Sequence, residues 1–214
     1  MTVSLRWIGH AGFEIKADGK IIYTDPYEGN FVDKADLILV SHSHFDHCEP
    51  SKIAKIRKPE TVIIGPADCA SKIGGNVKSL KPGEEITVGN IKVVAVPAYN
   101  IKRFKSPGTP FHPRDLGVGY VFTVGGKTIY HAGDTDFIPE MRRLRNVDVA
   151  LLPSGDTYTM DNVDAAEAAL AINPKIAIPM HRWDSDPEVF KKHVESKSKV
   201  KVEVLGAGEE LQVA

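Results

Sequence analysis

Residues Ile38–Pro50 read "ILVSHSHFDHCEP". Leu37, Ile38, Leu39 and Val40 form a continuous aliphatic run, the pattern of a strand covered on both faces. It leads straight into His42, His44, Asp46 and His47, four groups that bind protons or metal. Burying such groups unpaired is costly, so either something binds them or the run is an exposed turn. At alternate positions His42 and His44 point the same way as the strand ends. Beyond the turn, Asp46 and His47 face a second centre a few ångströms away. Imidazole with carboxylate suits Zn²⁺, Mn²⁺ or Fe²⁺. Two such ions roughly 3.5–4 Å apart share a hydroxide and grip a scissile carbonyl or phosphoryl group.

Working outward, the N-terminal third is strand-rich. "VSLRWIG" (Val3–Gly9), "GFEIKA" (Gly12–Ala17) and "KIIYTD" (Lys20–Asp25) are β-prone runs, with "ADGK" as a hairpin loop. "SKIAKIRK" (Ser51–Lys58) has helical spacing with Ser51 as N-cap, "TVIIG" (Thr61–Gly65) is a buried strand, and Pro66 suits a helix start. Four more strands follow in "EITVG", "IKVVAVPA", "GVGYVFTV" and "KTIYHAG". Between Ala98 and Leu116 runs a long segment rich in proline, glycine and cations; a loop of this length in a compact domain is functional or disordered. After Asp134 the chain turns α/β. Helices are expected at Phe137–Arg145, Asp161–Ile172 and Pro187–Ser196, and strands at Val147–Leu152, Lys175–Pro179 and Val200–Leu205. "ILVSHSHFDH", "KTIYHAGDTD" and "IAIPMH" each run from an apolar strand into histidine. Three strand ends carrying such residues define one edge of a layered α/β core. No linker composition divides the chain, so residues 1–214 read as one domain.

Bulk composition narrows the function. The chain holds 27 Lys+Arg against 28 Asp+Glu, a net charge of −1, which gives no sign of a polyanion binder and argues against a nucleic-acid partner. The two cysteines, Cys48 and Cys69, build no disulfide framework. No signal peptide and no membrane span is visible, so a cytoplasmic protein with no membrane partner is expected. Neither G-x-x-x-x-G-K-[ST] nor G-x-S-x-G occurs, which argues against a phosphate loop and a serine hydrolase. Oligomeric state leaves no trace in the sequence.

His-x-His-x-Asp-His resembles the signature of the metallo-β-lactamase-fold hydrolases. "WIGHAGFEI", "TDP", "SHSHFDH", "YHAGDTD", "LLPSGDTYTMD" and "IPMH" occur in the order found in a branch similar to ascorbate-6-phosphate lactonase. Ser43 stands where most members have glycine or another small residue, a mild variation. The resemblance implies an α/β (α+β) fold, a four-layer αββα sandwich with the site along one edge where the sheets meet. It implies two divalent ions, Zn²⁺ or Mn²⁺ first, with Fe²⁺ and Ni²⁺ also admitted by the donors. His42, His44 and a third histidine would hold one ion. Asp46, His47 and His181 would hold the other, and Asp134 would bridge them. Members of the family often place the third histidine soon after the strand ending "VPA", where this chain has Tyr99-Asn100. The candidates are His112, in "PFHPRD", and His131, three residues before Asp134 and better suited to a supporting role.

Other roles follow from chemistry. A ligating histidine passes its second N–H to an oxygen, and Asp25 is placed to receive one. In catalysis Asp46 accepts or relays a proton, while His131 or His10 supplies one to the leaving group. His10 has the alternative of a buried, hydrogen-bonded histidine, and Cys48 reads as a small apolar side chain. Lys102, Arg103, Lys105, Arg114 and Arg182 either grip an anionic group on the substrate or are tied up in salt bridges, the second reading weighing more. The expected substrate is a small ester or lactone, with an anionic, phosphorylated sugar acid among the options. A phosphodiesterase of the same fold and a non-catalytic metal-binding protein are the rival functions.

Overall fold

Leu37 and Leu39 point into one hydrophobic cluster while Ile38 and Val40 point into another. That alternation makes their strand the middle of a layered molecule. A computed structural model describes residues 2–214. The first half lays down β1 (Val3–Gly9), β2 (Gly12–Ala17), β3 (Lys20–Thr24), β4 (Leu37–Leu39), α1 (Pro50–Ile56), β5 (Val62–Gly65), α2 (Ala67–Ile73) and β6 (Val77–Ser79). Then come β7 (Glu85–Val88), β8 (Ile91–Ala98), a ribbon of β9 (Phe104–Ser106) and β10 (Thr109–Pro110), β11 (Gly117–Val124) and β12 (Lys127–His131). A 3₁₀ turn at Pro139–Arg143 precedes β13 (Val149–Pro153), α3 (Asn162–Ile172), β14 (Ile176–Met180), α4 (Pro187–Glu195), β15 (Lys201–Val202) and β16 (Glu210–Val213).

Two seven-stranded sheets result, ordered β16-β1-β2-β3-β4-β5-β6 and β15-β14-β13-β12-β11-β8-β7. Phe13, Ile22, Leu37, Leu39, Tyr120, Phe122, Val149 and Leu151 fill the space between them. Ile38, Val40 and Ile63 pack with Ile53 and Ile56 of α1 and Cys69 of α2 on one outer face. Ala150 and Leu152 pack with Ala165 and Ala169 of α3 and Phe190 of α4 on the other. The layers are therefore α, β, β, α, as the resemblance implied. Cys48 lies buried in the α1/α2 cluster, and both cysteines are free thiols.

Three chain reversals deliver the site. β12, β13 and β14 pair in parallel, His131 opposite Leu151 and Pro153 opposite Met180, so these strands finish at one edge. Val40 extends the β4–β5 ladder by donating its N–H to Ile64 O at 2.8 Å. The two sheets are tied at that edge: Val118 N donates to Ser41 O at 2.9 Å, and the Tyr120 hydroxyl to Val40 O at 2.8 Å.

Local signals are mostly obeyed. The Asp18-Gly19 turn has φ of 54° and 71°, positive at both residues as a type I′ hairpin requires. Asp161 caps α3, accepting from Val163 N at 2.9 Å and Asp164 N at 2.7 Å. Several expectations are corrected. The cap of α1 is Glu49, not Ser51, because Pro50 takes the first helical position and Glu49 reaches the Ser51 amide. The helix expected at Phe137–Arg145 is only the 3₁₀ turn. Pro139 biases Ile138 to extended backbone and Leu144 is extended again, leaving too few residues to nucleate an α-helix. The strand expected at Val200–Leu205 shrinks to β15 at the sheet edge. β6 and β16 were not foreseen; both are short and largely polar.

Candidate metal centre

His42, His44 and His47 leave the end of β4, Asp134 follows β12, His181 follows β14, and His112 arrives from the long loop before β11. The structure brings these together. Ligand atoms of His42, His44 and His112 lie within 4.8 Å of one another, as do those of His42, His47 and Asp134, and those of His10, Asp46, His47 and His181. Asp134 is the hub: its Oδ2 lies 3.2 Å from His112 Nε2, 3.2 Å from His181 Nε2 and 3.8 Å from His42 Nε2, and its Oδ1 lies 3.3 Å from His47 Nε2. Asp46 Oδ2 lies 3.9 Å from His47 Nε2 and 4.0 Å from His181 Nε2.

Local backbone makes this convergence possible. His10, Asp25 and His181 have φ of 50°, 39° and 48°, a left-handed conformation that side chains adopt at some cost and that clusters at functional sites. Two glycines admit close approach. A Cβ on Gly117 would lie 2.7 Å from His42 Cβ, and one on Gly155 would lie 2.2 Å from the His181 carbonyl oxygen.

Behind the ligand atoms sits a layer of orienting bonds. Asp25 Oδ2 accepts from His47 Nδ1 at 2.7 Å and from Ser41 Oγ at 2.6 Å, while Oδ1 accepts from Ser41 N at 2.7 Å. That bond fixes the His47 tautomer and leaves Nε2 free to face Asp134. Ser41 Oγ also lies 3.0 Å from His42 Nδ1. Asn100 does for His112 what Asp25 does for His47: its Oδ1 accepts from His112 N at 2.7 Å and from His112 Nδ1 at 2.9 Å. The position at which no histidine was found thus holds the residue that aims His112. Asp136, fully buried, fixes the start of the same loop, accepting from Ile101 N at 2.7 Å, Lys102 N at 2.6 Å and Arg103 N at 3.2 Å. Asn100 and Asp136 escaped the sequence reading; the only signal was Asn100 standing in a ligand's expected place.

His131 does not join the cluster. Its Nε2 donates to Ala11 O at 2.8 Å and its Nδ1 accepts from Gly133 N at 3.2 Å. With both nitrogens spent inside the core, it has none left for an ion or for a proton to a leaving group. The expected catalytic role for His131 is corrected on this ground. His10 does face the centre: Nε2 donates to Asp46 Oδ2 at 3.0 Å, and its ring lies 3.9 Å from that of His181.

Electrostatics favour a cation. Burial holds His42 well below the usual histidine range, and burial together with neighbouring His112 pushes His44 down to about 4. Both therefore offer neutral lone pairs near neutral pH. Burial opposes ionisation of Asp46, but the His10 bond and His47 outweigh it and hold it at about 2. Burial also opposes the Asp134 charge, and His181 and His47 outweigh it, holding its carboxyl well below the ordinary range. Burial disfavours protonated His47, yet Asp134 and Asp25 overcome this and raise it well above the ordinary value. Neutral His42 and His44 beside ionised Asp46 and Asp134 are already in the state that metal binding needs, while the proton that Asp134 and Asp25 hold on His47 is one an arriving cation would displace. His42 Nε2 and His44 Nδ1 lie 3.1 Å apart, close to the about 3.3 Å expected of two nitrogens on a tetrahedral Zn²⁺ with ~2.05 Å bonds. Among buried atoms without a hydrogen-bond partner are His47 Nε2, His112 Nε2, His181 Nε2 and Asp134 Oδ1. Four stranded polar atoms, three of them gathered around the Asp134 carboxylate, are what bound cations would satisfy.

A cavity of about 330 Å³ opens over the cluster, lined by His44, Asp46, His112, Asp134 and His181 below and by Phe45, Lys105, Phe111, Tyr158 and Trp183 at the rim. The cations of the long loop are largely committed. Arg103 pairs with Asp136 and Asp156 at 3.1 Å, Asp161 at 3.2 Å and also Asp164. Lys102 pairs with Asp164 at 2.6 Å and Arg114 with Glu140 at 3.2 Å. Arg182 stacks 4.1 Å from the Trp7 ring centroid.

Comparison with known proteins places this arrangement. The sequence matches the family described as β-lactamase superfamily domain over residues 4–181. A protein of Pelotomaculum thermopropionicum named a metal-dependent hydrolase is 32% identical, over 99% of this chain and 100% of its own. A candidate metal-dependent hydrolase of known structure from Parabacteroides distasonis superposes with a TM-score of 0.88 at 34% identity, covering 94% of this chain and 92% of that one. A metallo hydrolase from Ignicoccus hospitalis superposes with a TM-score of 0.80 at 26% identity, over 99% and 98% of the two chains.

Proposed function

The chain belongs to the β-lactamase superfamily domain family and is a metal-dependent hydrolase with the metallo-β-lactamase fold; from that premise we propose a dinuclear centre acting on a small ester or lactone. In this reading residues 1–214 form one cytoplasmic hydrolase domain. His42, His44 and His112 hold one divalent ion, Asp46, His47 and His181 hold the other, and Asp134 lies between them. Zn²⁺ and Mn²⁺ are the first candidates for this mixed nitrogen and oxygen donor set. The observation that carries the proposal is the convergence of unpartnered His47, His112, His181 and Asp134 atoms beneath an open cavity.

When bound, the ions lower the pKa of a coordinated water and polarise the group under attack. The protein's own residues do the rest. Asp25 and Asn100 hold His47 and His112 in one tautomer, so that no rearrangement is needed during reaction. His10 holds Asp46 through Oδ2 and so fixes the carboxylate at the centre, where it would orient the attacking water and relay its proton. Phe45 and Trp183 stand at the rim and offer apolar surface to the part of the substrate outside the centre.

The test pairs metal content with turnover. Protein loaded with Zn²⁺ or Mn²⁺ is assayed on aryl esters, lactones and bis(p-nitrophenyl) phosphate. Hydrolysis of the first two classes is expected, and Asp134→Ala should lose bound metal and activity together. Full metal content with unchanged turnover in that variant would overturn the assignment. Cleavage of the phosphodiester alone would overturn the substrate class.

A further inference from the structure

The rim of the cavity carries four aromatic side chains and a single cation. Phe111 meets Tyr158 edge-on with ring centroids 4.8 Å apart, and Tyr158 lies 6.4 Å from Trp183. Phe45 completes the wall and is 66% exposed. Lys105 Nζ sits 6.0 Å from the Phe111 ring centroid. Lys102, Arg103 and Arg114 all pair with carboxylates, whereas Lys105 has no ion pair among the described residues. It is not carried on a loose tail either. It lies on β9, whose approach is pinned by Asp136 through three backbone amides and whose partner β10 closes the ribbon.

An exposed ammonium with no ion pair of its own, beside a ring at the mouth of an aromatic-rimmed pocket, is free to pair with an anion that enters there. A cavity of about 330 Å³ is at the small end for ligand sites and fits one ring or short chain. We propose that the substrate is a small ester or lactone with an apolar body and a separate anionic group, and that Lys105 fixes this preference by pairing with that group. The inference rests on the hydrolase reading only for where the scissile bond lies. The anionic group is a carboxylate or a phosphate; both offer oxygens to the same ammonium.

The experiment compares 4-acetoxybenzoate, 4-acetoxyphenyl phosphate and neutral 4-acetoxybenzamide on the metal-loaded protein, in wild type, Lys105→Ala and Lys105→Arg. The wild type should show a KM about tenfold lower for one anionic ester than for the neutral one, and that ester identifies the group. In K105A the ratio should fall to about one, and K105R should restore it. Calorimetric titration with 4-hydroxybenzoate, 4-hydroxyphenyl phosphate and 4-hydroxybenzamide repeats the comparison without turnover. A Lys105-dependent preference in binding with no ester hydrolysed would keep Lys105 as the anion-selecting residue and overturn the ester-hydrolase reading. Equal KM and affinity for neutral and anionic probes, or a preference that persists in K105A because the ions themselves hold the anion, would overturn it.

Discussion

Replacing Asn100 with alanine tests how the long loop completes the centre. Asn100 Oδ1 accepts from both the main-chain and ring N–H of His112, at 2.7 and 2.9 Å, and its Nδ2 donates to Tyr158 O at 3.0 Å. His112 is 3% exposed, so water does not replace the lost acceptor. A stranded buried donor costs about 1–3 kcal/mol, and two of them should lower the stability of the metal-free protein by about 2–6 kcal/mol. The ring also loses the bond that keeps Nε2 toward Asp134. Loss of such an orienting partner weakens metal binding by about 10–100-fold. Denaturant unfolding of the metal-free protein measures the first effect. Zn²⁺ titration against a competing chelator measures the second, and should show one weakened equivalent and one nearly unchanged. Asn100→Asp keeps the acceptor and should recover most of the affinity. Wild-type affinity for both equivalents in N100A would refute the reasoning.

Two further outcomes follow from the same geometry. His131→Ala strands Ala11 O and Gly133 N and opens a cavity in the core. It should therefore lower stability by about 3–5 kcal/mol while leaving metal stoichiometry at the wild-type value, measured by thermal melting and elemental analysis. Burial raises the pKa of Glu14, but bonds from Arg6, Tyr23 and Lys16 outweigh it and leave it below the ordinary value. A depressed carboxyl stabilises the fold above its unfolded pKa of about 4.3, and that contribution is lost as pH falls through the folded value. Glu14→Gln should accordingly cost about 1–3 kcal/mol at pH 7 and almost nothing at the acid end, read as the difference in melting between the two proteins at each pH.

Much of the centre could be read from the chain because strands make it local. His42, His44, Asp46 and His47 fall within six positions, while Asp134 and His181, each just past a strand, are assigned through the family resemblance. The αββα layering is implied by the family resemblance, and in the fold the residues of one strand alternate between an inner and an outer cluster. What escaped depends on contacts between distant segments. Asn100 meets His112 across 12 positions, and Asp136 meets Lys102 across 34, through a loop whose path no periodicity describes. His131 shows the reverse error. Its position beside "GDTD" suggests a supporting histidine able to give up a proton, yet the carbonyl of Ala11, 120 residues away, claims its ring. The cations of the loop resolved in the same way, since only the fold could show that Arg103 faces four carboxylates while Lys105 faces none.

The claim on which the rest depends is a pair of ions held by these residues. Anomalous diffraction from crystals of the Zn²⁺- or Mn²⁺-loaded protein tests it directly. Two peaks are expected, roughly 3.5–4 Å apart, one enclosed by His42, His44 and His112, the other by Asp46, His47 and His181, with Asp134 between. A single peak, or a first peak bound by His131 in place of His112, would contradict the account.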